Sequence, residues 1–307
     1  MKSKLNRKEF LKLSVATGAA GILGKAKKAV ASVKKINTDN VYGVLIDTTV
    51  CIGCRRCEWA CKEQNKMPNR KIEAYDNKEV FESMRRPTDT AYTVVNKYPN
   101  PKNPKRPYFV KVQCMHCNEP ACVSACIVGA FTKDEKTGAV IYDSWKCIGC
   151  RYCMVACPFQ VPAYEYSNVL TPKVQKCVFC FDEIKKGKKP SCVAICPVET
   201  MTYGKRKDLV KIAHERIKKY PKRYVNHIYG EHEVGGTSWM YLSGKSMHDM
   251  DMIKMGKRPI PSYTEPVQHA IFKHFIPPVA LFAFLGSIMW LFKKRDDKMN
   301  KNKGDKK

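Results

Sequence analysis

Apolar positions along the chain form short, separate runs that predict an α+β fold. Runs at Val41–Ile46 and Val140–Tyr142 have the length and residue types of strands. Asp208–Tyr220 repeats its apolar residues with a helical period and is followed by Pro221, which does not continue a helix. The sequence Gly235–Leu242 is typical of a turn that leads into a strand.

Longer apolar stretches lie near both ends of the chain. A basic start, an apolar run at Leu13–Leu23 and the small residues Ala29-Val30-Ala31 are typical of an export signal. Phe275–Phe292 is 18 residues without charge, against the ~20 that cross a bilayer. Basic residues follow at once, which predicts a cytoplasmic tail. We expect a signal peptide at 1–31, one C-terminal transmembrane helix at 269–292 and a basic cytoplasmic tail at 293–307. The alternatives are an amphipathic N-terminal helix and a buried core helix.

The cysteines define the candidate chemistry. All sixteen fall into four groups of four, and the first and third groups have the spacing C-x2-C-x2-C-x3-C. This run holds iron–sulfur clusters in bacterial ferredoxins, where three thiolates bind one cluster and the fourth binds a neighbouring cluster. The sequence therefore predicts four [4Fe-4S] clusters. The groups are Cys51, Cys54, Cys57, Cys61; Cys114, Cys117, Cys122, Cys126; Cys147, Cys150, Cys153, Cys157; and Cys177, Cys180, Cys192, Cys196.

Two other uses of cysteine fit the pattern less well. Disulfides are common in exported chains, but they do not require this register, and thiols this close would exchange partners. Structural zinc uses two C-x2-C pairs per site, and only Cys177 and Cys180 in the fourth group look like such a pair. A membrane-tethered zinc-binding interaction protein remains the alternative from another functional class.

The cysteine groups form an internal repeat. The sequence Cys51-Ile52-Gly53-Cys54-Arg55 recurs at residues 147–151, and Pro120-Ala121-Cys122 parallels Pro190-Ser191-Cys192. A unit of two groups has been doubled, which predicts two ferredoxin-like two-cluster modules. Only 20 residues separate the second and third groups, whereas 52 separate the first and second. The shorter connection favours pairing the second group with the third, which leaves the first with the fourth.

The remaining sequence sets the domain layout. We expect a four-cluster ferredoxin-like domain at 32–205, with a proline-containing, loop-rich insertion at 62–113, and a C-terminal extension at 206–268. The formal net charge is +28. No nucleic-acid recognition motif accompanies this charge, so we expect an anionic membrane surface rather than nucleic acid as the partner. No nucleophile–base pair, phosphate loop or carboxylate pair stands out, and we expect an electron carrier rather than an enzyme.

Several other residues lie inside or beside the cysteine groups. His116 lies in the second group, and we expect a packed ring or a hydrogen bond to a cluster rather than a metal ligand. Arg55, Arg151 and Lys176 are adjacent to predicted ligands. Positive charge there would favour the reduced cluster and raise its potential. Simple solvation of these side chains is the alternative.

The order of the groups resembles a known family. With C-x2-C-x4-C-x3-C second and C-x2-C-x11-C-x3-C fourth, Val41–Leu242 resembles the iron–sulfur subunits of membrane-bound respiratory oxidoreductases. The export signal and single span are most similar to the electron-transfer subunit of periplasmic nickel–iron hydrogenases. The beta subunits of formate dehydrogenase and other molybdopterin oxidoreductases are the alternative. Asn6–Lys12 resembles the twin-arginine export motif, with Lys8 in place of the second arginine.

The resemblance implies partners and a location. A catalytic hydrogenase (or molybdoenzyme) subunit would supply electrons, and an integral membrane quinone-reactive or cytochrome subunit would accept them. The chain would lie at the cell inner membrane as a single-pass protein, with the cluster domain on the periplasmic side.

The resemblance also implies which cysteines share a cluster. Set 1 is Cys51, Cys54, Cys57 and Cys196; set 2 is Cys61, Cys177, Cys180 and Cys192; set 3 is Cys114, Cys117, Cys122 and Cys157; set 4 is Cys126, Cys147, Cys150 and Cys153.

Overall fold

The computed structural model describes residues 40–101, 103–168, 170–268 and 282–295. A three-stranded sheet lies at its centre. Strand β1 (Tyr42–Asp47) pairs antiparallel with β8 (Met201–Lys205) and parallel with β9 (Trp239–Leu242). Val44, Leu45 and Ile46 of β1 are all buried, as expected for a central strand that is covered on both faces.

The first and fourth cysteine groups belong to one module around this sheet. Helix α1 (Arg56–Gln64) follows β1, and helix α5 (Ser191–Ala194) precedes β8. The two helices pack against each other. Because strand pairing and helix packing join the same two chain segments, their cysteines meet at one end of the sheet.

The second and third groups form the other module. Strands β4 (Phe131–Lys133) and β5 (Val140–Tyr142) pair antiparallel, and helices α2 (Ala121–Ser124) and α3 (Tyr152–Ala156) pack against each other. This module lies between the two halves of the first module in the sequence. Shorter elements follow it: β6 (Ala163–Tyr164), β7 (Val174–Gln175) and α4 (Phe181–Lys185).

The segment 62–113 contains more regular structure than the loop-rich prediction allowed. Strands β2 (Thr93–Tyr98) and β3 (Tyr108–Gln113) pair antiparallel along their whole length, and most of their side chains are buried. Pro99, Pro101, Pro104 and Pro107 fall in the connection between the strands, where a missing amide hydrogen interrupts no ladder. The first half of the segment carries the single 3-10 turns Ile72–Asp76 and Glu79–Phe81.

The extension at 206–268 packs directly on the sheet. Helix α6 (Arg206–Lys219) begins two residues before the predicted start, and its buried residues Leu209, Ala213 and Ile217 recur every four residues on one face. Strand β9 supplies the edge of the sheet beside β1, as the Gly235–Leu242 pattern predicted. Helix α7 (Pro261–Gln268) follows. The aromatic residues of β9 therefore pack against the protein's own cysteine modules.

Residues 282–295 form helix α8, whose large apolar side chains are exposed, among them Phe282, Met289 and Trp290. Within the described ranges, no helix is both long and apolar enough to span a bilayer. The expected span at 269–292 lies partly outside these ranges. The expected signal at 1–31 and most of the tail at 293–307 lie outside the described residues as well.

Candidate metal centres

Set 1 surrounds a cavity at the end of β1. Its apolar walls include Ile46, Val95 and Phe109. All four thiols of the set line it: three come from the loop after β1 and from α1, and Cys196 comes from the turn after α5. The fold thus brings these four cysteines together around one cavity.

Set 2 surrounds a second cavity. Cys61 of α1, Cys192 of α5, and Cys177 and Cys180 all line it. Trp239 of β9 closes one side. Helices α1 and α5 therefore each contribute a thiol to this cavity, and each also lies next to a thiol of set 1.

The thiols of set 3 lie together in the second module. Burial raises the pKa of Cys117 well above its usual value, and the nearby thiolates of Cys157, Cys114 and Cys122 raise it further. Because charge interactions weaken with distance, these four thiols are neighbours.

Set 4 forms the other half of that module. Burial is the main cause that raises the pKa of Cys153 to about 11, and the thiolates of Cys147, Cys126 and Cys150 add to the effect. Cys150 is an exposed cysteine, so this set reaches the surface.

The four sets follow one another in a row. Lys111 lines the cavities of both set 1 and set 2. Cys177 of set 2 interacts electrostatically with Cys114 of set 3, and Cys122 of set 3 interacts with Cys153 of set 4. The sets are therefore neighbours in the order 1, 2, 3, 4.

The donor chemistry and the space between the donors fit an iron–sulfur group. Burial raises the pKa of Cys51 to about 11 and that of Cys177 to about 12, so each thiol stays protonated at neutral pH unless a bound cation replaces its proton. Among the described residues, no three Cys, His, Asp or Glu side chains come together closely enough to hold a single metal ion. Zinc would need sulfurs about 2.3 Å from one ion. Sets of four thiols, each set around one space, fit a cluster better.

The backbone conformation of the first and third groups is nearly identical. Gly53 and Arg55 have φ values of +70° and +58°, and Gly149 and Arg151 have +71° and +61°. These left-handed conformations turn the chain between successive cysteines. A Cβ atom at Gly53 would also lie 2.4 Å from Cε1 of Phe109, so glycine is required there for space as well as for conformation.

Backbone amides donate hydrogen bonds to several cysteine sulfurs. Such bonds stabilise a thiolate and tune the potential of a bound cluster. The amides of Ala130, Gly149 and Phe179 lie 3.1, 3.4 and 3.4 Å from Sγ of Cys126, Cys147 and Cys177, respectively.

His116 is a packed ring, in agreement with its sequence position. It is fully buried, its Nδ1 accepts a hydrogen bond from the Val140 amide at 2.9 Å, and its ring stacks on Phe179 at 4.9 Å. Burial lowers the pKa of His116 well below its usual value, so the ring is neutral. Because Nδ1 accepts, the proton lies on Nε2, which has no hydrogen-bond partner among the described residues.

The cations flagged by the sequence have different environments. Arg55 is buried and pairs with Glu58 at 3.2 Å, and Lys176 is buried with its Nζ donating to the carbonyls of Val140 and Cys177. Of these three cations, only Arg151 is exposed, so simple solvation can explain only its position.

Sequence reasoning missed Lys111. It carries no local marker: apolar and polar residues alternate along Val110–Gln113, which would place Lys111 on an exposed face, whereas both faces of β3 are buried.

Comparison with known proteins identifies an iron–sulfur domain within the chain. Residues 106–206 match the model of the 4Fe-4S dicluster domain. This segment contains all the cysteines of sets 3 and 4, which together would hold two clusters.

Three relatives cover much of the chain. A protein of Nitratidesulfovibrio vulgaris is 48% identical over 85% of this chain and 70% of its own length. The Hydrogenase-2 operon protein HybA of Escherichia coli O157:H7 is 33% identical over 92% of this chain and 94% of its own. The nitrate-inducible formate dehydrogenase iron-sulfur subunit of Escherichia coli K12 is 32% identical over 64% and 66%, respectively. The chain belongs to the family of ferredoxin-type iron–sulfur electron-transfer subunits of respiratory oxidoreductases.

Proposed function

We propose that this chain holds four [4Fe-4S] clusters and relays electrons from a periplasmic hydrogenase to a quinone-reactive subunit in the membrane. The observation that carries the proposal is the continuous row of four cysteine sets. When bound, such clusters supply one-electron transfer. The chain's own residues bind them, bury them and adjust the charge around them.

We assign sets 1 to 4 as the ligands of the four clusters. Support comes from the two cavities lined by sets 1 and 2 and from the mutual electrostatic effects within sets 3 and 4. Each cluster takes three cysteines from one group and one from the paired group. Because each cluster shares ligands from both groups, the bound metal links the two groups of each module.

The two ends of the row are the proposed points of electron exchange. Sets 2 and 3 are interior to the row, whereas Cys150 of set 4 is exposed. Trp145 is 95% exposed and Val155 is 85% exposed around this end, with Ile148 and Tyr152 between them. Exposed apolar groups in one short segment are characteristic of a protein interface. At the other end, Ile52 beside set 1 is also exposed.

A hydrogenase is the preferred catalytic partner. The match to HybA covers 92% of this chain and 94% of that protein, whereas the match to the formate dehydrogenase subunit covers 64% and 66%. That wider coverage supports the hydrogenase, and a formate dehydrogenase or other molybdoenzyme complex is the second candidate.

We place residues 269–292 in the inner membrane as a single span, with the four-cluster domain in the periplasm. Support comes from the exposed apolar side chains within 282–292 and from the basic residues Lys293, Lys294 and Arg295 that follow. The twin-arginine-like sequence at the N-terminus would export the chain after its clusters are assembled in the cytoplasm.

Substitution of one ligand tests the assignment. Cys147→Ser should remove or alter one of four cluster signals in electron paramagnetic resonance (EPR) spectra and lower iron content from about 16 atoms per chain. Hydrogen-dependent quinone reduction should fall at least about tenfold, since one gap interrupts the row. Ser144→Ala in the same exposed loop is the matched control and should keep all four signals. Four unchanged signals in Cys147→Ser would refute the ligand assignment.

A further inference from the structure

Lys111 is a buried cation between two of the cysteine sets. It lies on β3, its side chain lines the cavities of both set 1 and set 2, and it is only 4% exposed. Lysine is rarely buried to this extent without a partner of opposite charge.

Neutral groups hold the Lys111 ammonium in place. Its Nζ donates to Oε1 of Gln113 at 3.0 Å and lies 4.4 Å from the centre of the Trp239 ring. Gln113 is itself fixed, because its Nε2 donates to the Tyr241 hydroxyl at 2.8 Å. That hydroxyl donates to the Lys111 carbonyl at 2.7 Å. The position of the charge is therefore set by buried side chains of β3 and β9.

The counter-charge comes from the cysteines. No ion pair between Lys111 and a carboxylate occurs in the described part of the chain. The charged groups that act on it most strongly are cysteines of both sets: Cys192, Cys57, Cys177 and Cys61. A buried ammonium whose strongest charged neighbours are ligand cysteines is suited to balance the negative charge of a cluster bound by them.

The buried Lys176 and the half-buried Lys133 are placed differently. Lys133 donates to the carbonyls of His116 and Gly138, and Lys176 donates to those of Val140 and Cys177. Both therefore bond directly to backbone around the second module. Lys111 instead donates to a side-chain amide and lies between two thiol-lined cavities.

We propose that Lys111 is a fixed positive charge that raises the reduction potentials of the two clusters held by sets 1 and 2. An electron added to either cluster increases its negative charge, and a cation that borders both cavities favours that state. This inference rests on the ligand sets of the proposed function. It adds a residue that controls how readily electrons occupy the first half of the row.

Redox titrations followed by EPR, on the full-length protein in its native membranes, test the inference. The variants are Lys111→Met and Lys111→Gln, which remove the charge, and Lys111→Arg, which keeps it. Lys97→Met, on the exposed side of the neighbouring strand β2, is the matched control. Cys57→Ser and Cys61→Ser identify the signals that belong to sets 1 and 2.

In both neutral variants, the ratio of oxidised to reduced cluster at a fixed potential should rise at least tenfold for sets 1 and 2. For one electron, this corresponds to a midpoint about 59 mV lower. The signals of sets 3 and 4 should keep their midpoints, and Lys111→Arg and Lys97→Met should titrate like the native protein. Loss of only the set 1 and set 2 clusters in the neutral variants, with all four kept in Lys111→Arg, would also support a requirement for the charge.

Three results would overturn the inference. One is four clusters with native midpoints in the neutral variants. Another is an equal shift of all four signals, and the third is loss of clusters in Lys111→Arg as well. Fewer than four clusters in the native protein would instead refute the proposed function, so the two failures are distinguishable.

Discussion

Glu58 joins the helix that carries two predicted ligands to the neighbouring hairpin. Its Oε1 accepts a hydrogen bond from the Val95 amide at 2.7 Å, and its carboxylate pairs with Arg85 at 2.6 Å and with Arg55 at 3.2 Å. The carboxylate is almost completely buried. Because α1 supplies one thiol to set 1 and another to set 2, this network fixes the helix that both sites share.

Neutralising that carboxylate should loosen both sites of the first module. Glu58→Gln leaves two guanidinium groups without their anion, and breaking a buried pair of this kind costs about 3–5 kcal/mol. We expect a lower temperature of cluster loss, followed by the visible absorbance of the iron–sulfur groups. Glu82→Gln, at an exposed position of the same segment, is the control and should behave like the native protein. Equal stability of the two variants would contradict a structural role for Glu58.

Two glycines separate the effect of backbone conformation from that of space. Gly53 and Gly129 both have positive φ, but a Cβ atom at Gly53 would overlap the Phe109 ring, whereas one at Gly129 meets nothing within 4 Å. Gly129→Ala should cost about 1–2 kcal/mol for its left-handed backbone and keep all clusters. Gly53→Ala should also lose the set 1 cluster, measured by iron content and EPR. Identical cluster content in the two variants would show that the contact with Phe109 is unimportant.

At the residue scale, the sequence locates the thiols but not their surroundings. The ferredoxin spacing is local, so the cysteines of the first and third groups are recognisable without the fold. Trp239 reaches the cavity of set 2 only because β9 pairs with β1, almost 200 residues earlier in the chain. Lys111 lies between two sets only because β3 is buried. Such neighbours depend on long-range pairing that a single sequence does not reveal.

At the element scale, β9 makes the C-terminal extension part of the first module. It forms the parallel partner of β1, and its side chains Trp239 and Tyr241 are fully buried beside set 2 and Gln113. Helix α6 covers the sheet through Leu209 and Ala213. The extension therefore completes the core that surrounds the clusters.

Two truncations test this role. A chain that ends after Lys219 lacks β9 and exposes the edge of β1, so it should fail to retain clusters in sets 1 and 2. A chain that ends after Gln268 keeps every strand of the sheet and should retain all four clusters while losing its membrane attachment. Iron content, EPR and fractionation of membranes measure these outcomes. Four clusters in the shorter chain would contradict the integral role of β9.

The prolines in segment 62–113 explain why the β2–β3 hairpin was not predicted from the sequence. The strands preceding both odd cysteine groups, helix α6 and strand β9 all had visible patterns and were predicted. The hairpin β2–β3 was not, because the prolines between its strands favoured an irregular segment. The same prolines are compatible with the hairpin, since they occupy only its connection. The number of prolines therefore did not distinguish an irregular segment from a hairpin with a long connection.

At the scale of the whole molecule, two interleaved modules produce one row of sites. The first module is assembled from β1 and β8, which lie on either side of the second module in the sequence. Set 2 of one module is next to set 3 of the other, where Cys177 and Cys114 interact electrostatically. The row begins beside the exposed Ile52 and ends at the exposed Cys150. This arrangement gives an electron carrier with two surface ends and a buried middle.

We propose that this row carries electrons from a hydrogenase. EPR of native membranes that contain the chain, after hydrogen is added to one sample and formate to another, tests it most directly. A dithionite-reduced sample establishes the signals of all the clusters. We predict that hydrogen alone produces the same cluster signals as dithionite. Signals that appear with formate and not with hydrogen, or only with dithionite, would contradict the assignment to a hydrogenase.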